Sequence, residues 1–134
     1  MNGSILYLDS SALVKLILPE EETLALFRLL LSWPYRIASQ IGFVEVYRAV
    51  RRASLDHAVL RRAEEVMATI HFMELGMDAL GEAVCLEPLL LRSLDAIHVA
   101  SALTLKYELG AFVTYDRVMA DAARRLDLKV LSPA

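Results

Sequence analysis

The sequence predicts an α/β fold, a parallel sheet with helices on both faces. Two observations carry that prediction. Short apolar segments alternate along the chain with longer stretches whose apolar residues recur at helical spacing. The joints between them carry helix-capping chemistry, at Asp9-Ser10-Ser11, Asp56, Ser93 and Asp116. A length of 134 residues suits one domain, 1–134.

Ser4–Leu8 is bulky and apolar, and it reads as a short buried strand. Asp9, Ser10 and Ser11 then cap a helix over Ala12–Leu18, which Pro19 ends. Glu20, Glu21 and Glu22 load the first turn of a second helix, which runs to Trp33 and Pro34. Arg36–Ser39 is a weak strand, followed by helices over Ile41–Ala53 and Asp56–Ile70. Phe72–Leu75 is a third strand candidate, and Met77–Leu91 is helical but interrupted by Gly81 and Pro88. Ser93 reads as the cap of a helix over Leu94–Leu109, closed by Gly110 in the C′ position. Ala111–Thr114, a helix over Asp116–Leu126 and a last strand at Lys129–Leu131 complete the pattern.

Composition narrows the function classes. The chain is 57% apolar against roughly 45–50% for an average soluble domain. The surplus is concentrated in Leu24–Trp33 and Leu86–Leu94, which suggests surface that meets a partner. No apolar run approaches the roughly 20 residues of a membrane span, and no signal peptide is evident. The single cysteine, Cys85, excludes an internal disulfide and a zinc cluster, and reads as a small core residue. A cytoplasmic protein is expected. The net charge of −3 is neutral on nucleic-acid binding, because acidic metal ligands count in it while their cations do not.

Four acids stand next to apolar segments: Asp9, Glu45, Asp95 and Asp116. Burying a carboxylate is costly unless it is paired or binds a cation. Ligands of an open α/β sheet collect at the carboxyl ends of its strands. Asp9 and Asp116 lie just past two strands, and the helices of Glu45 and Asp95 start at that edge if each follows the usual order. Each acid has a plainer reading: a cap for Asp9 and Asp116, a solvated side chain for Glu45, a helix-dipole partner for Asp95. Together they suggest an oxygen-rich pocket for Mg²⁺ or Mn²⁺. Bound ions of this type offset phosphate charge and activate water, so the pattern points to a metal-dependent phosphodiesterase, foremost a ribonuclease.

Ser10, Ser11 and Thr114 are hydroxyls beside these acids, suited to bond a carboxylate or to cap. Arg48, Arg92 and Arg117 are candidate RNA-phosphate contacts, with Arg51, Arg52 and Lys15 behind them. His98 reads as a packed helical histidine bonded to a neighbour rather than as a general base. The chain lacks a Gly-rich phosphate loop and any Ser-His-Asp or Cys-His spacing.

The segments around these acids, Leu6–Lys15, Glu45–Ala49, Ser93–Ala100 and Val113–Arg117, resemble the PIN domain, and within it the VapC-type toxins of toxin–antitoxin pairs. The resemblance covers essentially the whole chain. It implies a parallel sheet of about five strands and Mg²⁺- or Mn²⁺-dependent endoribonuclease activity. It assigns the metal role to Asp9, Glu45, Asp95 and Asp116, with Thr114 as the accompanying hydroxyl. It also implies a homodimer and a cognate antitoxin covering the site. Asp127 stands where relatives usually have Gly at the end of the last helix, a place where Asp tolerates a left-handed backbone. The alternative is a catalytically silent PIN-like module that binds RNA or a protein partner. An intact set of four acids counts against it.

Overall fold

A computed structural model describes residues 3–134. Five strands, β1 (Ile5–Leu8), β2 (Tyr35–Ser39), β3 (His71–Met73), β4 (Leu109–Val113) and β5 (Val130–Leu131), form one sheet in the order β3-β2-β1-β4-β5. Every neighbouring pair is parallel. β1 is central, and Leu6, Tyr7 and Leu8 are wholly buried, as a strand covered on both faces requires.

The helices are α1 (Ser10–Ile17), α2 (Thr23–Leu31), α3 (Gln40–Ala53), α4 (His57–Met67), α5 (Met77–Cys85), α6 (Ser93–Thr104) and α7 (Arg117–Arg125). Residues of the central strands feed two apolar cores. Leu6, Leu8, Ala111 and Val113 pack with Leu13, Leu16, Leu26, Val46 and Val50 from α1, α2 and α3. Tyr7, Leu109 and Phe112 pack with Val99, Ala100, Met119 and Ala122 from α6 and α7. The Tyr7 and Phe112 rings stack at 5.2 Å between centroids, tying β1 to β4 on that face.

Several expected boundaries move. Glu20–Glu22 do not fill the first turn of α2. They precede it, because Glu20 and Glu22 are drawn back to Lys15 and the Thr23 hydroxyl bonds the Lys15 carbonyl. The helix expected over Met77–Leu91 stops at Cys85, and a turn containing a cis Glu87–Pro88 bond leads into α6. Ser93 is the first residue of α6 rather than its cap, which is Arg92 and lacks a side-chain bond. That helix ends at Thr104, and a 3₁₀ turn, Lys106–Glu108, follows it with Lys106 left-handed at φ 52°.

Gly110 is therefore not a helix cap. It is a strand residue, and its missing side chain has a different reason: a Cβ there would lie 2.3 Å from the Trp33 ring and 2.4 Å from the Gly3 carbonyl oxygen. Cys85, expected in the core, is exposed at the last position of α5. Asp127 does take the left-handed conformation, at φ 63°. The surplus apolar surface is where it was expected, with Leu24, Leu31, Leu89 and Leu90 exposed. Leu90 is 94% accessible, which no core contact explains. Among the described residues no helix is long and apolar enough to cross a membrane.

Gly110→Ala forces either Trp33 or the chain at Gly3 to move, so it is expected to cost about 1–3 kcal/mol, the scale of an overpacked core. Gly81→Ala, inside α5 where an added Cβ meets no atom within 4 Å, is expected to stabilise by about 0.5–1 kcal/mol. Urea unfolding of both variants checks the pair, and equal effects would contradict the packing account of Gly110.

Candidate functional site

β1 delivers Asp9 to the carboxyl edge of the sheet, where it is 1% exposed. Its side chain caps α1 by accepting from the Ala12 amide at 3.0 Å. The same oxygen, Oδ1, accepts from the Ser11 hydroxyl at 2.7 Å, and Oδ2 accepts from the Thr114 hydroxyl at 2.5 Å. Each hydroxyl also accepts from the chain following β4: the Tyr115 amide donates to Ser11 Oγ and the Asp116 amide to Thr114 Oγ1. Two small hydroxyls thus tie the end of β1 to the end of β4 around one carboxylate. Burial pushes the Asp9 carboxyl up from its usual range, and the three donors offset only part of that.

Asp116 caps α7 by accepting from the Met119 amide at 3.0 Å. Asp95 lies in the first turn of α6 and is half-buried. Its carboxyl is pushed up, first by burial and then by the negative charge of Asp116 and, more weakly, Glu45. Cation charge at Arg92 opposes this. Glu45, from α3, meets the same edge through His98 of α6: Nε2 lies 2.6 Å from Glu45 Oε1. The Ser10 hydroxyl donates to that oxygen at 2.6 Å. Burial alone would raise Glu45, but the His98 and Ser10 bonds outweigh it, and the carboxyl sits below its usual range. All four acids reach one edge, each felt electrostatically by at least one other group of the set or by His98.

A cleft of about 410 Å³ beside them is lined by Ser10, Ser11, Lys15, Glu45, Arg52 and Tyr115. A hollow of about 350 Å³ on the other side of Tyr115 holds Asp116, Arg117 and Arg124. A cavity of about 630 Å³, larger than either, opens at the amino edge of the sheet, and Glu108 is the carboxylate that lines it. Size and chemistry therefore separate, and the acids decide for the carboxyl edge.

The candidate arginines divide. Arg117 stands beside Asp116, and Arg92 beside Asp95. Arg48 lines a separate shallow hollow with Arg51, Arg52 and Leu55. Arg52, less favoured from sequence, reaches the Glu45 cleft. Its seven-residue spacing from Glu45 put it on the same face of α3, two turns on. Lys15 also lines that cleft, bound to Glu20 and Glu22 with its ammonium 4.7 Å from the Tyr115 ring centre. His98 is packed and bonded, as the sequence suggested, but its partner is one of the four acids, which no sequence signal gave.

A model of the PIN domain matches residues 6–125. The chain belongs to the PIN domain family. Ribonuclease VapC46 of Mycobacterium tuberculosis is 37% identical to it over 129 residues, 96% of this chain and 98% of that protein. Ribonuclease VapC47 of the same species is 35% identical over 133 residues, 96% and 97% of the two chains. In solved structures, this PIN domain superposes on a chain of VapBC2 from Rickettsia felis, bound to a promoter DNA fragment, with a TM-score of 0.75 at 13% identity, covering 97% and 99%. A chain of a toxin–antitoxin complex from Klebsiella pneumoniae gives 0.72 at 20%, covering 96% and 98%. At those identities the structural likeness bears on the fold, and it agrees with the five-stranded parallel sheet.

The raised carboxyl of Asp95 makes the stability of the metal-free fold depend on pH. A folded-state value above the unfolded one contributes stability at low pH that is lost as pH rises through the folded value. At pH 7 the ionised Asp95 therefore costs the metal-free fold. Asp95→Asn is expected to stabilise it by about 0.5–1 kcal/mol, discounted for solvent screening at a half-exposed site. The gain should shrink as pH falls through the folded value and vanish only below about 4, the unfolded carboxyl's value. Thermal melts in EDTA across that range check it. A gain that grows on acidification would contradict the assignment.

Proposed function

We infer that this protein is an RNA-cleaving hydrolase, an endoribonuclease acting as the toxin of a toxin–antitoxin pair. The observation that carries the reading is the convergence of Asp9, Glu45, Asp95 and Asp116 on one edge of a PIN fold. It is supported by whole-length identity above 30% to proteins named as VapC ribonucleases. The nuclease unit is read as one domain spanning 1–134.

The donor set suits a hard divalent cation. It is all carboxylate and hydroxyl oxygen, and the negative charges of Asp116 and Glu45 push the Asp95 carboxyl up when no cation offsets them. Among the described residues no three His, Cys, Asp or Glu side chains are arranged to hold an ion by themselves. Mg²⁺ keeps several waters and takes one or two direct carboxylates, so it does not require such a cluster. Asp9, Glu45, Asp95 and Asp116 are the residues that would hold it, directly or through water. Such an ion supplies charge for the scissile phosphate and lowers the proton affinity of a bound water.

The chain's own groups have the remaining tasks. Thr114 and Ser11 keep Asp9 oriented, and Ser10 steadies Glu45. Arg52 in the Glu45 cleft, Arg117 beside Asp116 and Arg92 beside Asp95 are cations suited to backbone phosphates; Arg48, one turn after Glu45, faces a separate hollow, and Lys15 is engaged by Glu20 and Glu22. Exposed Leu24, Phe27 and Leu31, beside a groove of about 540 Å³, supply apolar area for an antitoxin. A homodimer and a cytoplasmic location belong to the same reading.

Purified chain with RNA should cleave in Mn²⁺ or Mg²⁺ and stop in EDTA. Asp95→Asn should lower the rate by at least about 100-fold, beyond the roughly 10–100-fold of losing a partner behind a ligand, while the circular-dichroism spectrum stays unchanged; Asp9→Asn should lose activity and also stability, because its amide would face a donor. A folded Asp95→Asn protein that cleaves like wild type would sink the reading in favour of a non-catalytic RNA- or protein-binding module.

A further inference from the structure

His98 is placed oddly for a histidine that only fills space. Its ring is 1% exposed, yet its polar contacts run outward to a partly exposed carboxylate. On the inner side Nδ1 lies 2.8 Å from the Tyr7 hydroxyl. On the outer side Nε2 lies 2.6 Å from Glu45 Oε1 and 3.2 Å from Ser10 Oγ. A phenol holds its proton at neutral pH, so the Tyr7 hydroxyl has one to donate to the ring nitrogen beside it. A hydroxyl donating to Nδ1 makes that nitrogen the acceptor and leaves the ring proton on Nε2. That proton then points at Glu45.

The geometry at Glu45 is one-sided. Ser10 and His98 both meet Oε1, while Oε2 has no hydrogen-bond partner among the described residues. Glu45 also lines the cleft beside Ser10 and Ser11. A free glutamate side chain loses rotamer freedom when it is fixed. Two donors on one oxygen supply that fixation beforehand and leave the second oxygen available.

We propose that His98 is a positioning residue: Tyr7 Oη–H donates to His98 Nδ1, His98 Nε2–H donates to Glu45 Oε1, and this relay from the buried sheet holds Glu45 with Oε2 presented to the cleft. Its functional side rests on the metal reading above. Tyr7 comes from β1 one residue pair before Asp9, so the same strand sets Asp9 directly and Glu45 through the relay.

The test has two readouts. In metal-free protein with ¹⁵N-labelled histidine, the His98 ring should carry its proton on Nε2 and leave Nδ1 bare, and Tyr7→Phe should abolish that preference. In calorimetric titration with Mn²⁺, His98→Leu should bind about 10–100-fold more weakly, the usual cost of losing a partner behind a ligand. His98→Gln, whose amide nitrogen can take the place of Nε2, should recover to within a few-fold of wild type. Tyr7→Phe should weaken binding in the same direction. A ring proton on Nδ1 overturns the proposal, as does Leu binding like wild type or Leu and Gln failing equally while folded. Should wild type itself take up no Mn²⁺, the metal reading fails in the same titration, and the ring-nitrogen result alone decides the relay.

Discussion

The structure depends on keeping one carboxylate buried. Asp9 lies at the end of the central strand with almost no water contact, where an unpaired charge costs several kcal/mol. The fold offsets this with the Ala12 amide and the Ser11 and Thr114 hydroxyls. Because those hydroxyls also accept from the Tyr115 and Asp116 amides, satisfying Asp9 fixes the path of the chain out of β4. That path places Asp116 at the start of α7. One buried group thus positions another acid a hundred residues away.

The other acids follow from how helices meet a parallel sheet. α3 begins as β2 ends, so Glu45 sits within two turns of the carboxyl edge. α6 runs the opposite way to its following strand and starts at that edge, carrying Asp95 in its first turn and His98 one turn further. The outcome is a graded set: Asp9 sealed, Asp95 half-buried and raised by its neighbours, Glu45 tied down and lowered by donors. Such a set concentrates negative potential where a cation relieves it, and it does so in a chain whose net charge is only −3. Arg52, Arg92 and Arg117 stand near these acids as counter-charge.

Much of this was legible in the sequence, for physical reasons. Strand and helix patterns were clear wherever apolar periodicity was strong, as in β1, α3 and α7. All four acids were marked by standing beside such patterns. The misreadings fall where local signals compete with tertiary contacts. Gly110 looks like a helix terminator, but its lack of a side chain serves Trp33 and the Gly3 carbonyl. Glu20–Glu22 look like the first turn of a helix, but Lys15 claims two of them. The Tyr7–His98–Glu45 line was invisible, because its members are 91 and 53 residues apart and each has an ordinary local reading. Arg52 was within reach of sequence reasoning through its two-turn spacing from Glu45, a spacing that Arg48 at three residues does not share.

The central claim is that the carboxyl edge of the sheet gathers a divalent cation. Substoichiometric Mn²⁺ added to ¹⁵N-labelled wild-type protein tests it most directly, because the ion broadens only the amide signals close to it. The account predicts broadening centred on the amides around Asp9, Glu45, Asp95 and Asp116, reversed by EDTA. Broadening scattered over the surface acids, or centred on the cavity at the amino edge near Glu108, would contradict it.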